Sequence, residues 1–273
     1  MTTSHQHVQE ACQFIQQQIP NFTPKVGIVL GSGLGPLADE VEQSVTLSYD
    51  EIPHFPSSTV DGHAGNLIAG KLCDQSVICM QGRVHRYEGA KDNDYKTLFR
   101  TFKQLGCETM IITSASGSLR EDIKPGELVL VTDHINMQLT SPLIGKNDDE
   151  FGSRFIAMDD AYNQQLRDIM HKSATELDVL LHEGVNMTVF GPCFETPAEI
   201  RAFRTLGADV INMSMVPEVI VSRHCGLNVV ALAVVTNFGA GMGKHIDHDD
   251  NLKYAQMAAD NFKLLVKSFL QKL

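Results

Sequence analysis

The chain has 273 residues, 43% of them hydrophobic and 20% charged, a balance that fits a folded globular protein and excludes an intrinsically disordered one. Its formal net charge of −11 argues against non-specific nucleic-acid binding, which needs a basic face. Apolar runs such as 229–235 fall far short of the ~20 residues of a membrane-spanning helix.

The N-terminus has no basic cluster followed by an apolar run, so no secretory signal is expected and the cytoplasm is the expected compartment. Val8, Cys12, Ile15 and Ile19 then mark one stripe of a first helix. Val26 to Leu30, Val77 to Met80, Met110 to Ile112, Leu128 to Val131 and Val229 to Val235 are short, β-branched and continuously apolar. That pattern predicts strands covered on both faces. Ala208 to Ile211 is a further short strand. Leu252, Ala255, Ala259, Phe262, Val266 and Phe269 predict a last helix, with Asp249 and Asp250 near its positive end. Strands alternating with helices predict an α/β fold with a central mixed sheet flanked by helices. No linker rich in Pro, Gly or Ser appears, so residues 1–273 are expected to form a single domain. The six cysteines (12, 73, 79, 107, 193, 225) contain no CxxC pair and read as ordinary buried thiols of a reducing compartment.

In α/β folds ligands bind where strands end, so the loops after the apolar runs are the places to look. Gly31-Ser32-Gly33-Leu34-Gly35-Pro36 follows the first strand. Its glycines let backbone N–H groups approach an anion, and Ser32 adds a hydroxyl. A dinucleotide-binding reading competes here, because Gly31 and Gly33 fit the first half of G-x-G-x-x-G and Asp50 falls near the ribose-binding acid. Proline at position 36 breaks that pattern where a third glycine is needed. In 82–89, Arg83, His85 and Tyr87 stand at alternate positions. A guanidinium fork, a titratable donor and an aromatic hydroxyl then converge, a trio suited to a phosphate dianion beside a sugar. His63 offers one more donor.

The loop 191–196 presents Phe194 for stacking and Glu195 as an acceptor for ring N–H groups. Thr196, Pro197 and Glu199 form the capping box of the helix that follows. After the last long strand, Asn237 offers both a donor and an acceptor to a heterocycle, with Thr236 beside it. Met213 and Ser214 follow the 208–211 strand as an apolar wall and a further anion donor. The cluster 244–250 is read as part of a glycine-hinged lid carrying His245 and His248 rather than as a metal site.

These loops, in this order, resemble those of the trimeric, low-molecular-mass purine nucleoside phosphorylases. The resemblance runs from the 31–36 loop to the last helix through Arg-x-His-x-Tyr, Phe-Glu, Met-Ser-x-x-Pro-Glu-Val and Thr-Asn. It implies the nucleoside phosphorylase-like form of the α/β fold and the exchange of a purine nucleoside with inorganic phosphate. The phosphate would be a co-substrate, and no cofactor or metal is implied. By match to the motifs, Ser32, Arg83, His85, Ser214 and the Ala115 backbone would hold phosphate, with His63 near its entry. Tyr87, Met213, Phe194 and His248 would surround the ribose. Glu195 and Asn237 would read the purine with Thr236 in support, so that Asn237, Glu195, His85 and His248 carry the catalytic roles. Phe151 matches a position that reaches the neighbouring subunit's sugar site, which implies a homotrimer.

A neutral amide at 237 suits 6-oxopurine nucleosides such as inosine and guanosine, leaving adenosine poor. Much of the chain, including 55–63 and 117–120, is most similar to bacterial xanthosine-type phosphorylases, in which an aromatic often stands where Phe190 does. The sequence departs from the family at Ser114 and Ser116, where Asn and Ala are usual, and at Asn212, where Gly is usual. A dehydrogenase of the dinucleotide-binding type and a purine-binding homologue without catalysis are the two alternatives that remain open at this point.

Overall fold

The computed structural model describes residues 3–60, 63–243 and 248–273, the side chains of Thr3 and of 248–253 excepted. Among these residues nine strands form one mixed sheet in the order β2-β3-β4-β1-β5-β8-β7-β6-β9. They are β1 (Val26–Leu30), β2 (Glu42–Ser48), β3 (Asn66–Leu72), β4 (Gln75–Gln81), β5 (Thr109–Ser118), β6 (Leu128–Asn136), β7 (Leu181–Thr188), β8 (Val210–Asn212) and β9 (Asn228–Phe238). Strand β9 also pairs with β5 along ten residue pairs, so β5, β8, β7, β6 and β9 close on themselves. The remaining four strands extend from that ring as an open sheet.

The strands read from the sequence are the buried ones. β1 is buried at all five positions, and Val229 to Val235 of β9 are each 0% exposed. Of the strands that sequence reasoning missed, β2 and β7 are polar or mixed, whereas β3 is buried at five of its seven positions but interrupted by Gly70 and Lys71. Five of the seven residues of β2 are exposed because it is an edge strand, and Leu181–Thr188 carries no alternation strong enough to stand out.

Among the described residues six α-helices cover the sheet: α1 (Thr3–Gln18), α2 (Asp92–Leu105), α3 (Gln164–Glu176), α4 (Pro197–Thr205), α5 (Val216–His224) and α6 (His248–Leu270). α1, α2 and α5 bury one face in a core that includes Val8, Cys12, Ile15, Ile19, Phe99 and Phe102. α3 and α6 bury the other, where Phe262, Val266 and Phe269 meet β-strand valines and leucines. Each such side chain removed from water contributes roughly 1.5–3 kcal/mol, which holds an amphipathic helix on its sheet. The predicted stripe of α6 shifts by one residue in one place: Ala258 is buried and Ala259 only half-buried. Among the described residues no helix is long and apolar enough to cross a membrane.

Two expectations need correction. Four cysteines are buried, but Cys73 is half-buried and Cys193 is exposed, because 191–196 is a surface loop at a strand end. The glycines before the expected lid are also packing positions. A Cβ at Gly239 would lie 3.0 Å from Ile200 and Leu119, and one at Gly241 would lie 2.9 Å from Pro197. Lys244 to Asp247, His245 included, lie outside the described residues, as do the side chains of His248, Asp249 and Asp250.

Candidate active site

A cavity of about 270 Å³ opens at the C-terminal ends of β1, β4, β5, β7, β8 and β9. Its position follows from topology: where neighbouring parallel strands end, their loops diverge and leave a crevice. Loops far apart in sequence meet there. Ser32 comes from the end of β1, Arg83, His85 and Tyr87 from the end of β4, and Ala115 from within β5. Phe194 and Glu195 follow β7, Met213 and Ser214 follow β8, and Thr236 and Asn237 end β9; all line the cavity.

One end of the cavity is cationic and rich in donors. Arg83 is 1% exposed. Its Nη1 donates to Ser214 Oγ at 2.8 Å, its Nη2 donates to the Thr113 carbonyl, and its Nε faces Glu218 Oε1 at 3.3 Å. One proton on each terminal nitrogen is left for a ligand. Glu218, in the first turn of α5, is 2% exposed, and burial pushes its carboxyl up to about 7 against the opposing pull of Arg83. Sequence reasoning gave Glu218 no role, although a single acid inside the apolar run 215–221 is the signal of a buried ion pair.

Three rings stack beside Arg83. The centroids of His63 and His85 lie 5.4 Å apart, and those of His85 and Tyr87 lie 4.7 Å apart. The alternation read from the sequence therefore brings His85 and Tyr87 face to face. His85 Nδ1 lies 2.6 Å from Glu88 Oε2, which leaves its Nε2 for a ligand. Burial opposes the charge on Glu88, but hydrogen bonds from His85 and Thr59 win and bring it down to about 2. Burial also lowers His85, with Glu88 pulling the other way. Burial carries His63 down to about 4, so it is neutral, donating from Nδ1 to the Arg83 carbonyl at 2.9 Å. Its Nε2 then accepts from Ser32 Oγ at 3.1 Å. His63 stands just behind the cavity wall. The chain fits there because Gly82 has φ +104°, and any Cβ on it would strike His63 Cβ at 2.7 Å.

The opposite end presents an amide and an acid. Thr236 Oγ1 donates to Asn237 Oδ1 at 2.9 Å, and Asn237 Nδ2 donates to the Phe238 carbonyl at 3.0 Å. The amide is thereby oriented with its second N–H unspent. Burial holds the Glu195 carboxyl above its ordinary range, and the like charge of Glu199 adds to that. The predicted capping box sets this loop: Thr196 Oγ1 accepts from the Glu199 N–H, and Glu199 Oε2 accepts from Thr196. Gly191, at φ +75°, lets the loop cross within 2.5 Å of Met213 Sδ at the place a Cβ would occupy.

Phe190 is 48% exposed and is not part of the cavity wall. Phe151 does not line the cavity of its own chain either. Its ring packs under the Arg100 guanidinium at 4.4 Å from the centroid and lies 5.6 Å from the His5 ring. The dinucleotide reading fails on topology as well as on Pro36. After the Gly31 loop come a six-residue 3₁₀ turn (Gly35–Glu40) and the antiparallel edge strand β2, not a helix and a parallel strand.

Comparison with known proteins matches residues 25–271 to the phosphorylase superfamily. Purine nucleoside phosphorylase 1 of Bacillus subtilis is 44% identical over 96% of this chain and 97% of its own. The bovine purine nucleoside phosphorylase is 40% identical over 92% of this chain and 89% of its own. This chain belongs to the purine nucleoside phosphorylase family. Among solved structures, the Schistosoma mansoni purine nucleoside phosphorylase in complex with adenosine superposes with a TM-score of 0.94 at 36% identity, covering 100% of this chain and 99% of the other. The complex of that enzyme with inosine gives the same TM-score at 35% identity, covering 100% of this chain and 98% of the other.

Proposed function

We propose that this chain catalyses the reversible phosphorolysis of purine nucleosides, 6-oxopurine nucleosides above all, to free base and ribose 1-phosphate. One observation carries the reading. Arg83, His85, Ser32 and Ser214 converge at one end of the same cavity in which Glu195 and Asn237 stand at the other. An oxyanion bound by the first group and a heterocycle bound by the second would leave the sugar between them.

Breaking an N-glycosidic bond builds positive charge at C1′ and negative charge on the departing base. Paired carboxylates manage this charge in glycosidases; here the bound phosphate does so. Arg83, His85, Ser32, Ser214 and the Ala115 backbone hold the dianion, with His63 behind Ser32. Fixing it below C1′ converts an encounter into a near-attack geometry. The C1′–N9 bond breaks, a phosphate oxygen bonds to C1′, and the proton that phosphate gives up ends on the base. Asn237 donates its unspent N–H to N7 as charge flows into the ring, and Glu195 holds the N1–H edge. Tyr87, Phe194 and Met213, which line the cavity, enclose the ribose.

The active unit is a homotrimer in which Phe151 completes the sugar site of a neighbour. That Phe151 does not line the cavity of its own chain is consistent with that role. The whole chain, 1–273, acts as one domain in the cytoplasm with phosphate as co-substrate and no cofactor; a single sheet from β1 to β9 supports the one-domain reading.

The test is inosine incubated with the protein with and without phosphate. Hypoxanthine and ribose 1-phosphate appearing together, only with phosphate, is the expected result. Release of base without phosphate, or none at all, would refute the reading. Guanosine and xanthosine run alongside rank the 6-oxopurines, and adenosine is expected to be the poorest substrate.

A further inference from the structure

Ser114, Ser116 and Asn212 meet in one buried hydrogen-bond network in the wall of the cavity. Asn212 is at its centre. Its Oδ1 accepts from the Ser214 N–H at 3.3 Å and from Thr188 Oγ1 at 2.8 Å. The backbone N–H can only donate, so it fixes which way round the amide sits. Asn212 Nδ2 then donates to Asn186 Oδ1 and to Ser114 Oγ, both at 2.8 Å. Asn186 Nδ2 donates to Thr188 Oγ1 at 3.0 Å, which closes a ring of three side chains. Ser114 and Ser116 continue it, their hydroxyls 3.0 Å apart. All five side chains are buried, Asn212 at 6% exposure being the most open.

The network ends on a strained piece of backbone. Met215 sits at φ +51°, ψ −60°, a left-handed γ-turn conformation that L-residues seldom adopt. The Val216 N–H closes that turn on the Ser214 carbonyl at 2.6 Å. Such a conformation persists only where its surroundings over-determine it. Here the Met215 side chain is fully buried on one side, Arg83 holds Ser214 Oγ, and Asn212 holds the Ser214 N–H.

We propose that Asn212 is a positioning residue: it clamps the strained 212–216 turn so that Ser214 Oγ and Arg83 are already aimed at an incoming oxyanion. Asn212 lines the cavity, but it acts through Ser214 rather than by gripping the nucleoside. The inference rests on the reading of this end of the cavity as the phosphate site.

The test is Asn212→Ala, made alone and combined with Ser214→Ala. Phosphate and hypoxanthine binding are measured by calorimetry, and KM values are measured for phosphate and for inosine. A buried hydrogen bond lost at the clamp should weaken phosphate about five- to tenfold. Inosine KM and hypoxanthine affinity should stay within about twofold, and little further loss is expected once Ser214→Ala is present. Should Asn212→Ala not fold, Thr188→Val, which withdraws one of the two donors to Oδ1, is expected to shift phosphate in the same direction by less. Unchanged phosphate affinity, equal losses for both substrates, or full multiplication with Ser214→Ala would overturn the proposal. If the wild-type protein binds phosphate in an Asn212-dependent way yet does not phosphorolyse inosine, the functional reading fails and the clamp stands. If turnover is normal and the phosphate preference does not move, the clamp alone fails.

Discussion

Asn237→Ala is the sharpest perturbation of the mechanism. The side chain makes two internal hydrogen bonds, 2.9 Å from Thr236 and 3.0 Å to Phe238, and these leave one amide proton for the cavity. Gly117 keeps that proton accessible, since a Cβ there would stand 3.0 Å from Asn237 Nδ2. A preorganised donor aimed at developing negative charge is worth about 2.7–4 kcal/mol of barrier. At ~1.36 kcal/mol per decade, turnover should fall roughly 100- to 1000-fold. Ground-state affinity should change far less, because N7 carries its extra charge only as the glycosidic bond opens. Loss of the internal bonds costs about 0.5–1.5 kcal/mol each, so fold and assembly survive. The assay is phosphate-dependent hypoxanthine release from inosine, read at saturating phosphate, with thermal unfolding and sedimentation as controls. A variant that folds, assembles and keeps turnover within tenfold of wild type would remove Asn237 from the chemistry.

Glu218→Ala should strand the Arg83 cation in a site where both groups are almost wholly buried, at a cost of about 3–5 kcal/mol. A wild-type urea midpoint in that variant would show that the pair does not hold the site together. The pH dependence of stability should carry the signature of His63, whose pKa burial lowers from an ordinary 6.5 to about 4. The unfolded chain takes up this proton first, so the contribution is complete above pH 6.5 and is lost as pH falls toward 4. Its magnitude is at most about 3 kcal/mol. Urea midpoints measured across that window should fall more steeply for wild type than for His63→Gln; parallel slopes would contradict the assignment.

How much was legible in advance depended on burial. β1 and the 229–235 core of β9 are covered on both faces, so their sequences are continuously apolar and announce themselves. β2 lies on the sheet edge and β7 alternates poorly, and neither carried a signal that single-sequence reasoning can use. The loop chemistry was legible where several functional groups fall within a few residues, as in Arg83, His85 and Tyr87 or Thr196 and Glu199. Glu218 escaped because its meaning depends on Arg83, 135 residues earlier, and an acid in an apolar run names no partner by itself.

By itself the sequence determined the layer architecture, the loops that carry donors and acceptors, and the helix cap that presents Glu195. Those properties are local: hydrophobic period, turn residues and capping act over a few positions. Only the tertiary structure decided that Ser114, Asn186 and Asn212 close into one network, that three rings stack beside Arg83, and that Phe151 packs under Arg100. The reason is physical. Hydrogen-bond partners, desolvation and shared charge are set by elements that become neighbours across separations from about 20 residues, as for His63 and His85, to 98, as for Ser114 and Asn212, distances over which a linear pattern holds no geometry.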